Sequence, residues 1–196
     1  MSHYFIEDPT LEKEPKIVEF DIFGHKVKVV SDKGTFSKYR VDLGTSIFIK
    51  TLVALPLKGN TIDLGCGNGI IGISLKKIFN DNINIDFSDI NSYCIELTKK
   101  GLNLNNISGE VFVSDGFNNI NKNYDYILLN SPISCGKEIC YKLYKEAKSH
   151  LNEMGKLLIV IRKDKGALSH VKYLSSLFEN VEIINKEKGY FIISNY

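Results

Sequence analysis

The stretch Asp63-Leu64-Gly65-Cys66-Gly67-Asn68-Gly69-Ile70-Ile71-Gly72 constrains this chain more than any other. It lies between a short apolar run at 61–64 and a segment over 70–79 whose apolar residues recur with helical spacing. A strand that turns into a helix through three closely spaced glycines adopts backbone angles that other residues avoid. It also leaves the helix N-terminus uncovered, so a ligand can lie against bare N–H groups. A turn without ligand would tolerate the same glycines, but acid and glycines in this order, between strand and helix, favour a bound cofactor.

The pattern then repeats. Strands are predicted over 83–89, 110–114, 124–129 and 156–161, and helices over 92–103, 137–151 and 167–178. Closing strands fall at 181–185 and 190–194, joined by the short link Lys186-Glu187-Lys188-Gly189. Runs such as Leu157-Leu158-Ile159-Val160-Ile161 are apolar on both faces, which requires a parallel sheet covered by helices on both sides. The link before the last strand is short enough for an antiparallel hairpin. Upstream, 16–23 and 25–30 alternate apolar with polar around Gly24 and read as a β-hairpin. Asp42 or a neighbour caps a helix reaching about residue 54, and Pro9 and Pro15 keep 1–15 irregular. The expectation is an α/β, Rossmann-like fold: a mostly parallel seven-stranded sheet with an antiparallel last strand, plus an N-terminal β-hairpin. It is read as one domain over 1–196, with a 1–58 extension and a 59–196 cofactor-binding core.

Composition narrows the class. The 196 residues are 43% hydrophobic and 24% charged, the balance of a soluble globular domain. No apolar run approaches the roughly 20 residues of a membrane span, and the N-terminus has early acids and no apolar signal core. A cytoplasmic protein with no membrane partner is expected. Cys66, Cys94, Cys135 and Cys140 form no Cys-x-x-Cys pair and no histidine stands at zinc-ligand spacing, so no metal is expected. The net charge of +2 does not by itself argue for nucleic acid. Cations do cluster: Lys26, Lys28, Lys33, Lys38 and Arg40; then Arg162, Lys163 and Lys165; then Lys186 and Lys188. A solvated polar face is the plainer reading, and convergence on one surface is not legible in sequence.

Gly67-x-Gly69-x-x-Gly72 formally matches a dinucleotide fingerprint. Asp63 argues against it, because a carboxylate there would repel a pyrophosphate. The ammonium and sulfonium of S-adenosylmethionine (SAM) suit it instead. Asp89, followed by Ile90-Asn91, ends the next strand and would accept the ribose hydroxyls of either cofactor. Asp115, with Gly116 after it, would either meet an adenine amino group or cap a turn. The cofactor set is therefore Asp63, Gly65, Cys66, Gly67, Asn68, Gly69, Asp89, Ile90, Asp115 and Gly116, with Asn130 at its edge.

The fourth core strand ends in Leu129-Asn130-Ser131-Pro132-Ile133, where ligands of doubly wound sheets bind. A plain proline turn is the alternative. The motif resembles that of amino-methyltransferases, Asn-Pro-Pro followed by an aromatic or aliphatic residue. There the asparagine oxygen and a backbone carbonyl accept the two N–H bonds of a conjugated amine and turn its lone pair toward the methyl. Ser131 replaces the first proline, giving up a fixed φ worth of order 1 kcal/mol. Ile133 gives up a stacking face for a flipped base.

With Ser31-Asp32-Lys33-Gly34-Thr35-Phe36-Ser37, Val41-Asp42-Leu43-Gly44-Thr45, Arg162-Lys163 and Lys188-Gly189-Tyr190, the whole chain resembles the small-domain methyltransferases. It is similar to the small-subunit ribosomal RNA guanine-N2 enzymes among them. The resemblance implies SAM as cofactor, with Gly34, Phe36, Asp42 and Thr45 closing over it. Asn130 and the Ser131 carbonyl would hold the amine. Phe36 would either supply the missing ring or serve as a core or lid residue. The implied reaction is methylation of an exocyclic amino group in RNA, guanine N2 of small-subunit rRNA foremost. The partner is then ribosomal RNA or the small ribosomal subunit, and the enzyme a monomer or homodimer. A protein glutamine amide, a catalytically silent SAM- or RNA-binding module, and a nicotinamide dehydrogenase lacking any catalytic dyad are the alternatives.

Overall fold

Alternation decides the layers. Leu157, Ile159 and Ile161 of one strand join one apolar cluster, and Leu158 and Val160 join another on the opposite face. A strand buried on both sides must be central, and the computed structural model, which describes residues 13–32 and 41–196, places it so. A hairpin of β1 (Lys16–Ile22) and β2 (His25–Ser31) comes first, followed by α1 (Leu43–Val53). The core runs β3 (Gly59–Leu64), α2 (Ile70–Phe79), β4 (Ile83–Asp89), α3 (Ser92–Asn105) and β5 (Val111–Val113). It continues with β6 (Tyr124–Asn130), α4 (Lys137–Ser149), β7 (Leu151–Arg162), α5 (Ala167–Leu177), β8 (Val181–Glu187) and β9 (Tyr190–Asn195).

The seven-stranded sheet has the order β5-β4-β3-β6-β7-β9-β8. The pairs β5–β4, β4–β3, β3–β6 and β6–β7 are parallel, and β9 runs antiparallel to both β7 and β8. The antiparallel last strand is thus inserted between its neighbours rather than appended at the edge. Chain order reverses between β3 and β6, so their carboxyl ends flank the crevice where ligands of such sheets bind.

Cys140, Tyr144 and Ala147 of α4 and Leu174 of α5 cover one face of the sheet. Ile47, Phe48 and Leu52 of α1 and Ile71 and Leu75 of α2 cover the other. The β1–β2 hairpin forms a second layer outside α2 and α3, with Val27 and Val29 packed on Ile73, Ile95 and Leu102. Asn105 fastens it: its Oδ1 accepts the Lys28 N–H at 3.1 Å and its Nδ2 donates to the Lys28 carbonyl at 2.5 Å. One side chain therefore imitates a strand neighbour for the hairpin edge. No helix among the described residues is long and apolar enough to cross a membrane.

Candidate active site

Three glycines of the loop, Gly65, Gly67 and Gly69, have φ of +69°, +59° and +78°. Side chains are strongly disfavoured there. Gly65 is exposed, and a Cβ built on it meets nothing within 4 Å, so its outer face is open space above the crevice. The loop is laced from beneath. Asp89 accepts the Gly67 N–H on Oδ2 and the Asn91 N–H on Oδ1, both at 2.9 Å. Thr98 Oγ1 donates to the Gly67 carbonyl at 2.9 Å, and the Cys66 N–H donates to the Ser88 carbonyl at 2.9 Å.

Asp63, at 1% exposure, accepts the Gly72 N–H at 2.9 Å. Gly72 is the third residue of α2, so the carboxylate ending β3 satisfies one of the unpaired donors of that helix from below. Burial pushes the Asp63 carboxyl up to about 7; the Gly72 hydrogen bond opposes this and the Asp89 charge adds to it. Burial likewise raises Asp89, against the N–H groups of Asn91 and Gly67. Two buried acids beneath an open glycine loop form a site whose charge a cation would neutralise. The Cys66 thiol, buried in the loop, is pushed well up by burial and stays protonated. Asn68 is half-buried and its Oδ1 accepts the Ile70 N–H at 3.4 Å. Ile90 is 39% exposed beside Asp89, an apolar surface at the crevice.

Asp115, expected to meet an adenine amino group or to cap a turn, follows β5. It is exposed, and Lys142 Nζ holds its Oδ2 at 2.7 Å. Gly116 beside it has φ +58° and packs under Glu146. Phe36 and Gly34 lie outside the described residues.

At the end of β6, Asn130 Nδ2 donates to Thr45 Oγ1 at 3.1 Å. Thr45 Oγ1 donates in turn to Asp42 Oδ2 at 2.5 Å, and the Thr45 N–H donates to Asp42 Oδ1 at 3.1 Å. Asp42 is the N-cap of α1. A carboxylate only accepts, so the threonine proton goes to Asp42 and the threonine oxygen must accept from asparagine. That order assigns the amide: the NH2 faces Thr45 and Oδ1 is left as an acceptor.

The next residues turn sharply. The Ile133 N–H donates to the Ser131 carbonyl at 2.8 Å, and Pro132 sits at φ −77°, ψ 63°, an inverse γ-turn. The carbonyl expected to hold an amine thus already accepts one hydrogen bond and keeps one lone pair. Ile133 is half-buried and packs against the core under α4 and α5.

Ser131 has an anchor that its resemblance to proline motifs did not suggest. Its hydroxyl lies 3.1 Å from Tyr144 Oη, which lies 3.0 Å from His170 Nδ1, with all three residues buried. His170 Nε2 has no partner among the described residues. An orphaned N–H costs more than an orphaned lone pair, so the ring proton sits on Nδ1 and is donated to Tyr144. Tyr144 then donates to Ser131. Burial and the charge of Lys137 lower His170, keeping it neutral. Thr98, Tyr144 and His170 were missed from sequence because each occupies an ordinary inward helix position. The cysteines are free and, among the described residues, no group of His, Cys, Asp and Glu could hold a metal ion.

Fold, loop and buried acids together define a Rossmann-like, SAM-dependent methyltransferase. The profile of the family "Methyltransferase small domain" matches residues 26–194, and the chain belongs to that family. It is 34% identical over 194 residues to uncharacterized protein YbxB of Bacillus subtilis, covering 97% of this chain and 96% of that one. It is 34% identical over 160 residues to ribosomal RNA small subunit methyltransferase C of Haemophilus influenzae, covering 80% of this chain and 47% of that enzyme. The chain thus matches about half the length of the latter. Among solved structures it resembles the Thermus thermophilus 16S rRNA N2 G1207 methyltransferase in complex with AdoMet and guanosine. The TM-score is 0.83 at 19% identity, over 97% of this chain and 52% of that one. It also resembles a methyltransferase from Pyrococcus furiosus, with TM-score 0.69 at 22% identity, over 82% and 86% of the two chains.

Proposed function

We propose that this protein uses SAM to methylate an exocyclic amino group of a base in RNA, guanine N2 of small-subunit rRNA. The observation that carries the reading is the Asp42–Thr45–Asn130 relay, which leaves the Asn130 amide oxygen as a fixed acceptor at the crevice. An amine conjugated to a ring needs such acceptors, because holding its N–H bonds is what aims its lone pair. The second lone pair of the Ser131 carbonyl is the other acceptor. SAM, when bound, supplies an electrophilic methyl on a sulfonium. Asp63 and Asp89 would hold its cationic and hydroxyl groups, Gly65 would leave room against the backbone, and Ile90 would cover the adenine ring. The relationship to ribosomal RNA small subunit methyltransferase C supports RNA as the substrate class.

The test is incubation of undermethylated small ribosomal subunits with the protein and methyl-labelled SAM, followed by nucleoside analysis. N2-methylguanosine that disappears with Asn130→Ala, while S-adenosylhomocysteine binding persists, is the expected result. Label on protein glutamine alone would replace RNA with protein as substrate. No transfer by a folded protein that binds S-adenosylhomocysteine would make it a silent binding module.

A further inference from the structure

The lysine clusters that look scattered in sequence separate by location in the fold. On the hairpin, Lys26 and Lys28 both pair with Glu19. At the amino ends of the central strands, Lys122 pairs with Asp86 and Glu110, and Lys76 with Asp81. At the carboxyl end of β7 the arrangement differs: Arg162 pairs with Asp164, while the lysines around it form no ion pair among the described residues. Lys163 and Lys165 lie in the 3-10 turn Lys163–Lys165 that follows the strand, and both are exposed. The Lys163 N–H donates to the Gly189 carbonyl at 2.7 Å, which sets the exposed Lys188 of the β8–β9 turn beside them. The Lys137 side chain, at the start of α4, passes 3.6 Å from the Cβ position of Gly166, at the end of the same 3-10 turn. Among the described residues, none of these four lysines has an ion pair. The acids nearby are Asp164, already paired with Arg162, Glu187, paired with Lys50, and the exposed Glu138.

The site is close. Asn130 pairs with Val160 across β6 and β7, so Lys163 stands about 10 Å along the strand direction from the candidate amine clamp. Lys188 and Gly189, at φ +47° and +82°, form the tight turn between β8 and β9, which holds Lys188 at the tip of that hairpin.

We infer that Lys137, Lys163, Lys165 and Lys188 form a phosphate-binding rim that tracks the single-stranded backbone flanking the target base. This rests on the reading of RNA as substrate. Exposed, unpaired ammonium groups contribute through counterion release, which ties affinity to salt and not to sequence.

The test compares the wild type with a Lys163→Gln/Lys165→Gln/Lys188→Asn variant on undermethylated small subunits across a salt series. The expected result is a KM for subunits raised about 10-fold or more at moderate salt. The log–log salt slope should be shallower by about 2, since each single-strand phosphate contact contributes roughly 0.7. S-adenosylhomocysteine affinity should be unchanged, and Lys188→Asn alone should melt no lower than the wild type. An unchanged KM and slope for the triple variant would overturn the rim while leaving RNA methylation intact. A wild type that methylates no RNA at all would overturn the substrate reading itself, and the two failures are distinct.

Discussion

Asn130 Nδ2 lies 3.1 Å from Thr45 Oγ1, a contact between residues 85 positions apart. The end of β6 and the first turn of α1 are thereby locked together, and Asp42 fixes the direction of every proton in the chain between them. Thr45→Val removes the acceptor for the asparagine NH2 and the donor to Asp42 while keeping shape. Turnover is expected to fall about 10-fold, from a loss of ~1–2 kcal/mol of orientation. KM for SAM should change little, and Thr45→Ser should restore most of the rate. Steady-state kinetics on the methyl acceptor check this; equal activity of Val and Ser variants would sink the relay.

Asp63 sets a pH dependence of definite sign. Its folded-state value of about 7 lies above its ordinary value of 3.8, so between these pH values the folded protein binds more protons than the unfolded chain. Stability from this group is therefore present at low pH and lost as pH rises through 7, by a total of a few kcal/mol. Thermal melts from pH 5 to 8 should show a downward trend that is flattened in Asp63→Asn. The same variant should bind S-adenosylhomocysteine more weakly, because a neutral amide gives up the attraction to the ligand ammonium.

Proline at position 131 looks like a restoration in sequence, and the structure predicts the opposite. Ser131→Pro deletes the hydroxyl that Tyr144 donates to and leaves a buried phenol without an acceptor. That costs ~1–3 kcal/mol, against the roughly 0.4–1 kcal/mol a compatible proline returns through the unfolded state. Urea unfolding should place Ser131→Pro below the wild type by about 1 kcal/mol. A midpoint above the wild type would show that the Tyr144 contact contributes nothing.

Gly72 is required by packing and not by its backbone angles. A Cβ there would lie 2.3 Å from Phe87 Cε1 of β4. Gly72→Ala should destabilise by ~1–3 kcal/mol despite the better helix propensity of alanine, and Phe87→Leu in the same chain should recover part of it. Denaturant titration of the single and double variants measures the coupling.

Sequence reading carried far where one local pattern had one physical meaning. Apolar runs set the strands, the 3.6-residue spacing set α2 and α3, and the glycine loop placed Asp63 and Asp89 at the strand ends beneath it, because strand–turn–helix chemistry is local. Asp42 was legible as a helix cap for the same reason. The assignments that depended on contacts between distant segments were decided only by the fold. Asp115 is legible by its position after its strand, while its ion pair with Lys142 of α4 is not. Ser131 reads as a lost proline until Tyr144 and His170 arrive from α4 and α5. Lys163 and Lys188 look unrelated until the antiparallel β9, placed between β7 and β8, brings the turns that carry them together. Hydrogen bonds and charge operate over a few ångströms in space, while a sequence records only distance along the chain; tertiary structure is what converts one into the other.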